Sequence, residues 1–99
     1  MDTLTWIQNW YTRHCNGEWE QEHGIGISTL ENPGWMVDIN LTDTELAEAS
    51  FEKFENERSE QDWIECWVED QVFYGAGGTT NLGEILEVFR AWADQYSSD

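Results

Sequence analysis

Positive charge is what this sequence most lacks: Arg13, Lys53, Arg58 and Arg90 stand against 21 aspartates and glutamates, for a formal charge of -17 at pH 7. A surface so poor in cations repels phosphates, so direct contact with nucleic acid or with an anionic membrane is not expected. Long apolar runs are missing as well. No stretch approaches the roughly 18 residues of a membrane span, and the N-terminus has neither the basic start nor the apolar run of a signal peptide, so the expected location is the cytoplasm. Cysteine occurs twice, at Cys15 and Cys66. That is too few for a disulfide framework, and a reducing cytosol would keep both as thiols, one mutual bridge being the most they could form. Proline occurs once, at Pro33, and no internal repeat is present.

Against these absences stand seven Trp, three Tyr and four Phe in a chain that is 39% hydrophobic. So much aromatic surface argues against disorder, and 99 residues suit one core, hence a single domain over residues 1–99. Self-repulsion among the acids lowers stability, but the same field draws in basic partners and speeds their association. The rival reading makes the acidity a solubility device for a Trp-rich chain.

Along the chain, Leu4, Ile7, Trp10 and Tyr11 fall at helical spacing between Thr3 and Cys15, with Asp2 or Thr3 as N-cap and Asn16-Gly17 as the stop. Glu18 to Gly24 reads as an acidic loop. Ile25 to Leu30 and Trp35 to Leu41 read as a hairpin around Glu31-Asn32-Pro33-Gly34, since Pro fixes one turn dihedral and Gly accepts a positive one. Thr42 to Ser50 reads as a connector with at most one helical turn, and Phe51 to Arg58 as a strand of weak pattern. Trp63 to Glu69 alternates clearly: Ile64, Cys66 and Val68 on one side, Trp63, Glu65, Trp67 and Glu69 on the other. Asp70-Gln71 then turns into a last strand, Val72 to Gly75, and Gly75 to Gly78 reads as a flexible link. Asn81 and Glu84 make a capping pair for a helix whose stripe is Leu82, Ile85, Leu86, Phe89, Trp92, Ala93 and Tyr96. Ser97-Ser98-Asp99 reads as a frayed tail. The expected fold is α+β: a helix, an antiparallel sheet of about five strands in a meander, and a C-terminal helix packed on one face.

Few residues carry chemistry. Cys15 after Arg13-His14 could be an activated thiol, but Glu18, Glu20 and Glu22 set the local field against a thiolate. His14, Cys15, Glu20, Glu22 and His23 include metal-ligand types without a metal-site spacing. Gly75 to Gly78 before a helix lacks the lysine of a phosphate loop, and its glycines read better as a turn with unusual dihedrals. No catalytic set, metal site or cofactor is therefore expected. What stands out is Asp43 to Asp70, with eleven acids against Lys53 and Arg58 in 28 residues. Trp63 and Trp67 among Glu65 and Glu69, with Glu55 and Glu57 nearby, have the composition of an interface hot spot. Glu18, Glu20 and Glu22 are the second candidate patch. If helices cover this sheet face instead, both tryptophans belong to the core.

The runs Trp6-Ile7-Gln8-Asn9-Trp10-Tyr11, Cys15-Asn16-Gly17-Glu18-Trp19-Glu20 leading to Gly24-Ile25, Asn32-Pro33-Gly34-Trp35, and Gly75-Ala76-Gly77-Gly78 with Asn81-Leu82 and Glu84-Ile85-Leu86 together resemble the immunity protein 53 family of bacterial polymorphic toxin systems. Asn16-Gly17-Glu18 departs from the Asp-Gly-Asp expected there. The resemblance implies a non-enzymatic protein that binds and neutralises a cognate toxin made in the same cell, and it assigns no contact residues. Charge adds that the toxin should be basic, a nuclease being the natural case because nucleases hold phosphates. Stoichiometric occlusion is the expected mode. The rivals are an acidic nucleic-acid mimic aimed at another DNA- or RNA-binding protein, and a small enzyme, which would show a deep pocket with a perturbed Cys or His. Oligomeric state is not legible.

Overall fold

The computed structural model describes residues 1–96; the Ser97-Ser98-Asp99 tail lies outside them. Helix α1 spans Thr3–His14, a four-residue α2 Trp19–Glu22, and α3 Leu82–Asp94. Strands β1 Ile25–Leu30, β2 Gly34–Asn40, β3 Phe54–Glu57, β4 Trp63–Glu69 and β5 Val72–Gly77 form one sheet in the order β1-β2-β5-β4-β3, antiparallel throughout. Two up-and-down runs, β1–β2 and β3–β4–β5, are joined by residues 41–53, which carry the chain to the far edge so that β5 closes on β2. This is the α+β architecture expected, with the C-terminal helix packed on one side of the sheet.

Asp2 caps α1 by accepting the Thr5 N–H at 2.7 Å, and the helix buries Ile7 and Trp10 while Leu4 and Tyr11, read as part of its apolar stripe, point outward. On α3 Ile85, Leu86, Phe89, Trp92 and Ala93 of the expected stripe are buried, while Leu82 is half-buried and Tyr96 lies past the helix end and is exposed. The buried stripe meets Val37 and Ile39 of β2, Phe73 of β5, and Ile64 and Cys66 of β4. Phe89 is the hub, its ring 5.1 Å from both Trp10 and Phe73.

A glycine brings α3 this close, since a Cβ on Gly75 would collide with Ile85; a Cβ on Gly78 would collide with the Gln61 carbonyl of the loop between β3 and β4. Residues 75–77 are consequently strand, not a flexible link. Their glycines serve close approach rather than unusual dihedrals, since the positive-φ glycines are Gly17 and Gly24. The β4–β5 hairpin turns through Asp70 and Gln71 at φ 52° and 62°, the left-handed pair that matches strand twist.

Other differences have tertiary causes. The expected loop 18–24 contains α2 because Trp19 is pulled into the core and donates its indole N–H to the Thr42 carbonyl at 2.9 Å. Residues 42–50 are the connector expected, a run of turns held by fully buried Leu46 and by Trp92, whose indole N–H reaches Ser50 O at 2.8 Å. Phe51, read as strand, packs against Phe73 and Trp92 instead, so β3 starts only at Phe54.

Candidate protein-binding face

Directly opposed residues in an antiparallel sheet share a face, so the register defines the side that α1 and α3 leave uncovered. Ile64, Cys66 and Val68 point into the core; Trp63, Glu65, Trp67 and Glu69 point away from it. Opposite them stand Glu55 to Glu65 and Glu57 to Trp63 on β3, and Ala76 to Glu65, Tyr74 to Trp67 and Val72 to Glu69 on β5. From β2, Met36 meets Ala76 and Asp38 meets Tyr74. All six sequence-predicted residues of β3 and β4 therefore lie together on the open face.

At its centre Trp67 stacks on Tyr74, centroids 5.4 Å apart and planes 24° from parallel. Glu65 and Glu55 form the next row on one side, Glu69 stands on the other, and Asp38 lies beyond Tyr74. A shallow depression of about 440 Å³ opens beside Trp63, lined also by Glu55, Glu57 and Glu65. The indole N–H groups of Trp10, Trp19, Trp35 and Trp92 are taken up by Glu45 or by main-chain carbonyls. Those of Trp63 and Trp67, like that of Trp6 on α1, donate to nothing among the described residues. The aromatic centre thus offers both apolar area and free donors.

Of the four cations one, Lys53, is paired with a carboxylate of this face, and the other three sit against carboxylates away from it. Arg58 bonds Glu84 and lies 2.9 Å from Asp62; Arg13 is 3.5 Å from Glu45, Lys53 3.0 Å from Glu65, and Arg90 4.0 Å from Asp94. The hydrogen bond and charge of Glu65, with Glu55 adding its field, hold the Lys53 ammonium above its ordinary range. Arg58 holds both Asp62 and Glu84 below the usual carboxylate range. Asn81 joins them, its Nδ2 donating to Asp62 and Glu84 at 3.0 Å each. The expected Asn81–Glu84 pair thus forms, but between side chains: Asn81 makes no side-chain cap to the helix backbone, and its Oδ1 is buried without a partner.

Glu18, Glu20 and Glu22 are not brought to this face; they lie on and before α2, beside the end of α1. The Glu20 carboxylate accepts the N–H groups of Asn16 and Gly17 at 2.9 and 2.8 Å, and Asn16 Oδ1 accepts those of Glu18 and Trp19. Backbone N–H groups, its own and that of Asn16 foremost, hold Glu20 below the ordinary range. The Asn16-to-Glu20 run is a structural clasp, with Glu18 and Glu22 exposed around it.

The other residues weighed for chemistry have structural surroundings. Cys15 ends α1 with Sγ donating to the Tyr11 carbonyl at 3.3 Å, and Cys66 is buried with its thiol pushed by desolvation up to about 12. Both are free thiols. His14 lies between the Trp10 carbonyl at Nδ1 and Glu45 at Nε2, 2.8 and 2.7 Å. Burial raises the Glu45 carboxyl, but its backbone N–H and the bonds from Trp10 and His14 outweigh that and leave it lowered. Among the described residues no group of three or more His, Cys, Asp and Glu is placed to hold a metal ion, and no helix is long and apolar enough to cross a membrane.

Sequence reasoning missed Tyr74, Asp38 and Lys53. The signal for Tyr74 was present: a two-residue turn at Asp70-Gln71 fixes its pairing with Trp67. Asp38 required the β2–β5 pairing, a long-range contact without a local trace.

Fold and site together define a class: an α+β protein with a helical layer on one side of its sheet and an open, acidic, aromatic-centred face on the other. The family model of immunity protein 53 matches residues 4–94 of the 99, and the chain belongs to that family. Membership implies an immunity protein, and with it the binding of a cognate toxin. No curated protein and no solved structure gives a match.

Proposed function

We propose that this immunity protein neutralises its toxin by stoichiometric occlusion, laying the open sheet face over a basic toxin domain without catalysis and in the cytoplasm where both are made. The observation that carries this reading is the Trp67–Tyr74 stack set among Glu55, Glu57, Glu65, Glu69 and Asp38. A central aromatic pair supplies the apolar anchor, and the surrounding carboxylates complement a surface built to hold phosphates. A nuclease is the toxin class that matches this pattern, because its substrate groove must itself be positive.

Calorimetric titration with the catalytic domain of the toxin encoded beside this protein tests the reading. The expected result is a 1:1 complex in which Glu55→Lys combined with Glu69→Lys weakens affinity at least ten-fold. Glu18→Lys combined with Glu22→Lys should change it far less. The opposite ranking would move the binding face to α2.

A further inference from the structure

The two edges of the sheet are built differently. Edge strand β3 is four residues long and carries Glu55 and Glu57, and charge on a short strand is an ordinary defence against edge-to-edge pairing. Edge strand β1, Ile25-Gly26-Ile27-Ser28-Thr29-Leu30, has no charge, no proline and no bulge in its register with β2. Its free main-chain groups can be assigned. Asn40 donates to the Gly24 carbonyl, which makes Gly24–Asn40, and by alternation Gly26–Asp38 and Ser28–Met36, the hydrogen-bonded pairs. The N–H and C=O groups of Ile25, Ile27 and Thr29 therefore point outward, along an edge that no strand among the described residues occupies.

The surroundings of this edge are specific. On the helix side Ile27 is 48% exposed, and Tyr11 of α1 is 37% exposed. A groove of about 320 Å³ runs between α1 and the start of β1, lined by Ile7, Tyr11, His23 and Ile25 among others. On the open-face side, both Asp38 oxygens lie over Gly26: a Cβ there would be 2.6 Å from one and 3.1 Å from the other. The missing side chain at Gly26 lets this carboxylate lean across β1 toward the free edge. Asp38 takes part in no ion pair among the described residues.

We infer that β1 accepts an extended segment of the toxin as a sixth strand, one alternating apolar and basic side chains. Main-chain bonds to Ile25, Ile27 and Thr29 supply the pairing, as in other strand-addition complexes. Apolar side chains of the segment fall beside Ile25 and Ile27 over the groove. A basic side chain opposite Gly26 stands in the close, non-hydrogen-bonded position of the new ladder and meets Asp38. Charge selects this occupant over a second copy of the chain, because joining β1 to β1 would bring two domains of formal charge -17 together. The inference rests on the toxin being basic.

Amide hydrogen exchange on the intact ¹⁵N-labelled protein tests it, with a seven-residue synthetic peptide alternating lysine and valine as probe and its glutamate–valine counterpart as control. The lysine peptide should slow exchange at Ile25, Ile27 and Thr29 at least ten-fold and leave Gly26 and Ser28 little changed; the control should do neither. Ile27→Pro, which removes an outward N–H at an edge position that tolerates proline, and Asp38→Asn should each weaken peptide binding at least five-fold. Equal effects of both peptides, or protection centred on Trp67 and Tyr74 with β1 unchanged, would overturn the inference. So would a dimer in sedimentation whose free state already protects Ile27. If the toxin complex forms and Ile27→Pro leaves its Kd unaltered, the strand inference fails while the toxin reading stands. If no toxin complex forms, that reading fails, and the peptide result decides whether β1 is an acceptor edge.

Discussion

Replacing Trp67 by alanine separates an anchor from a core residue, because the two roles predict opposite patterns in stability and binding. Trp67 is partly buried, and among the described residues its one close aromatic neighbour is Tyr74 at 5.4 Å. Losing the stack costs about 0.5–1.5 kcal/mol, and some apolar burial goes with it, so roughly 1–2 kcal/mol of stability should be lost. For a domain of this size each kcal/mol moves Tm by about 4–8 °C. Phe89, fully buried among Trp6, Trp10, Phe73 and Trp92, is the reference: Phe89→Ala should cost about 3–5 kcal/mol. In binding the order reverses. A central aromatic anchor contributes about 2 kcal/mol or more, roughly thirty-fold in Kd. Thermal unfolding followed by circular dichroism, with calorimetric titration against the toxin domain at fixed salt, measures both quantities. A Trp67→Ala protein that unfolds as readily as Phe89→Ala, or that binds toxin with unchanged Kd, would refute the anchor role.

Further outcomes follow from the charge distribution and the core. The association rate with the toxin should fall several-fold in stopped-flow measurements between low and physiological ionic strength while dissociation changes less; a salt-indifferent rate would reduce the acidity to a solubility device. Cys15→Ser and Cys66→Ser should both keep neutralisation, Cys66→Ser losing about 1–3 kcal/mol because its hydroxyl is buried, and a thiol reagent should label Cys15 well before Cys66. Gly75→Ala should destabilise by about 1–3 kcal/mol in denaturant titration, since its methyl collides with Ile85. The Glu84 carboxyl is lowered by Arg58 in the folded state, so its stabilising contribution is present above the ordinary carboxylate range and disappears as pH falls through the lowered folded value. The stability gap between wild type and Glu84→Gln should therefore be full near pH 7 and shrink on acidification, and a gap that widens would contradict the sign.

Elements whose pattern is local and whose partners are periodic were legible. The α3 stripe and the β4 alternation are set by burial of one face, and the β4–β5 hairpin by Asp70-Gln71. The β1–β2 hairpin forms around Pro33 as read, but Gly34 opens β2 without the positive φ expected of it and serves close approach instead, since a Cβ there would collide with the Gly77 carbonyl. What escaped was decided by distant contacts. Four residues of α2 exist because Trp19 finds a place beside Trp10 and His14, and acidic composition alone reads there as loop. Phe51 leaves the strand for the core because Phe73 and Trp92 offer it a pocket. Glycines 75–78 were ambiguous in kind, since a glycine required for close approach and one required for a positive φ look identical in sequence.

The open face was legible for a related reason, and only in part. Alternation in β4 divides Trp63, Glu65, Trp67 and Glu69 from Ile64, Cys66 and Val68, but it does not say which set the helices cover. The acids decide: burying Glu65 and Glu69 under α3 would leave carboxylates without water or partners, a far larger penalty than leaving two tryptophans partly wet. The same logic explains why Trp67 has Tyr74 beside it, since an aromatic residue on an uncovered face is held best by another opposite it in the ladder. It also identifies what composition could not rank. Glu18, Glu20 and Glu22 look as acidic as the β3–β4 glutamates, yet Glu20 is occupied by the N–H groups of Asn16 and Gly17, whereas Glu55, Glu57 and Glu69 take part in no ion pair among the described residues. A carboxylate already satisfied inside its own loop gains little from a partner's cation, while one on a flat sheet beside an aromatic stack stands to gain both a charge and the exclusion of water around it.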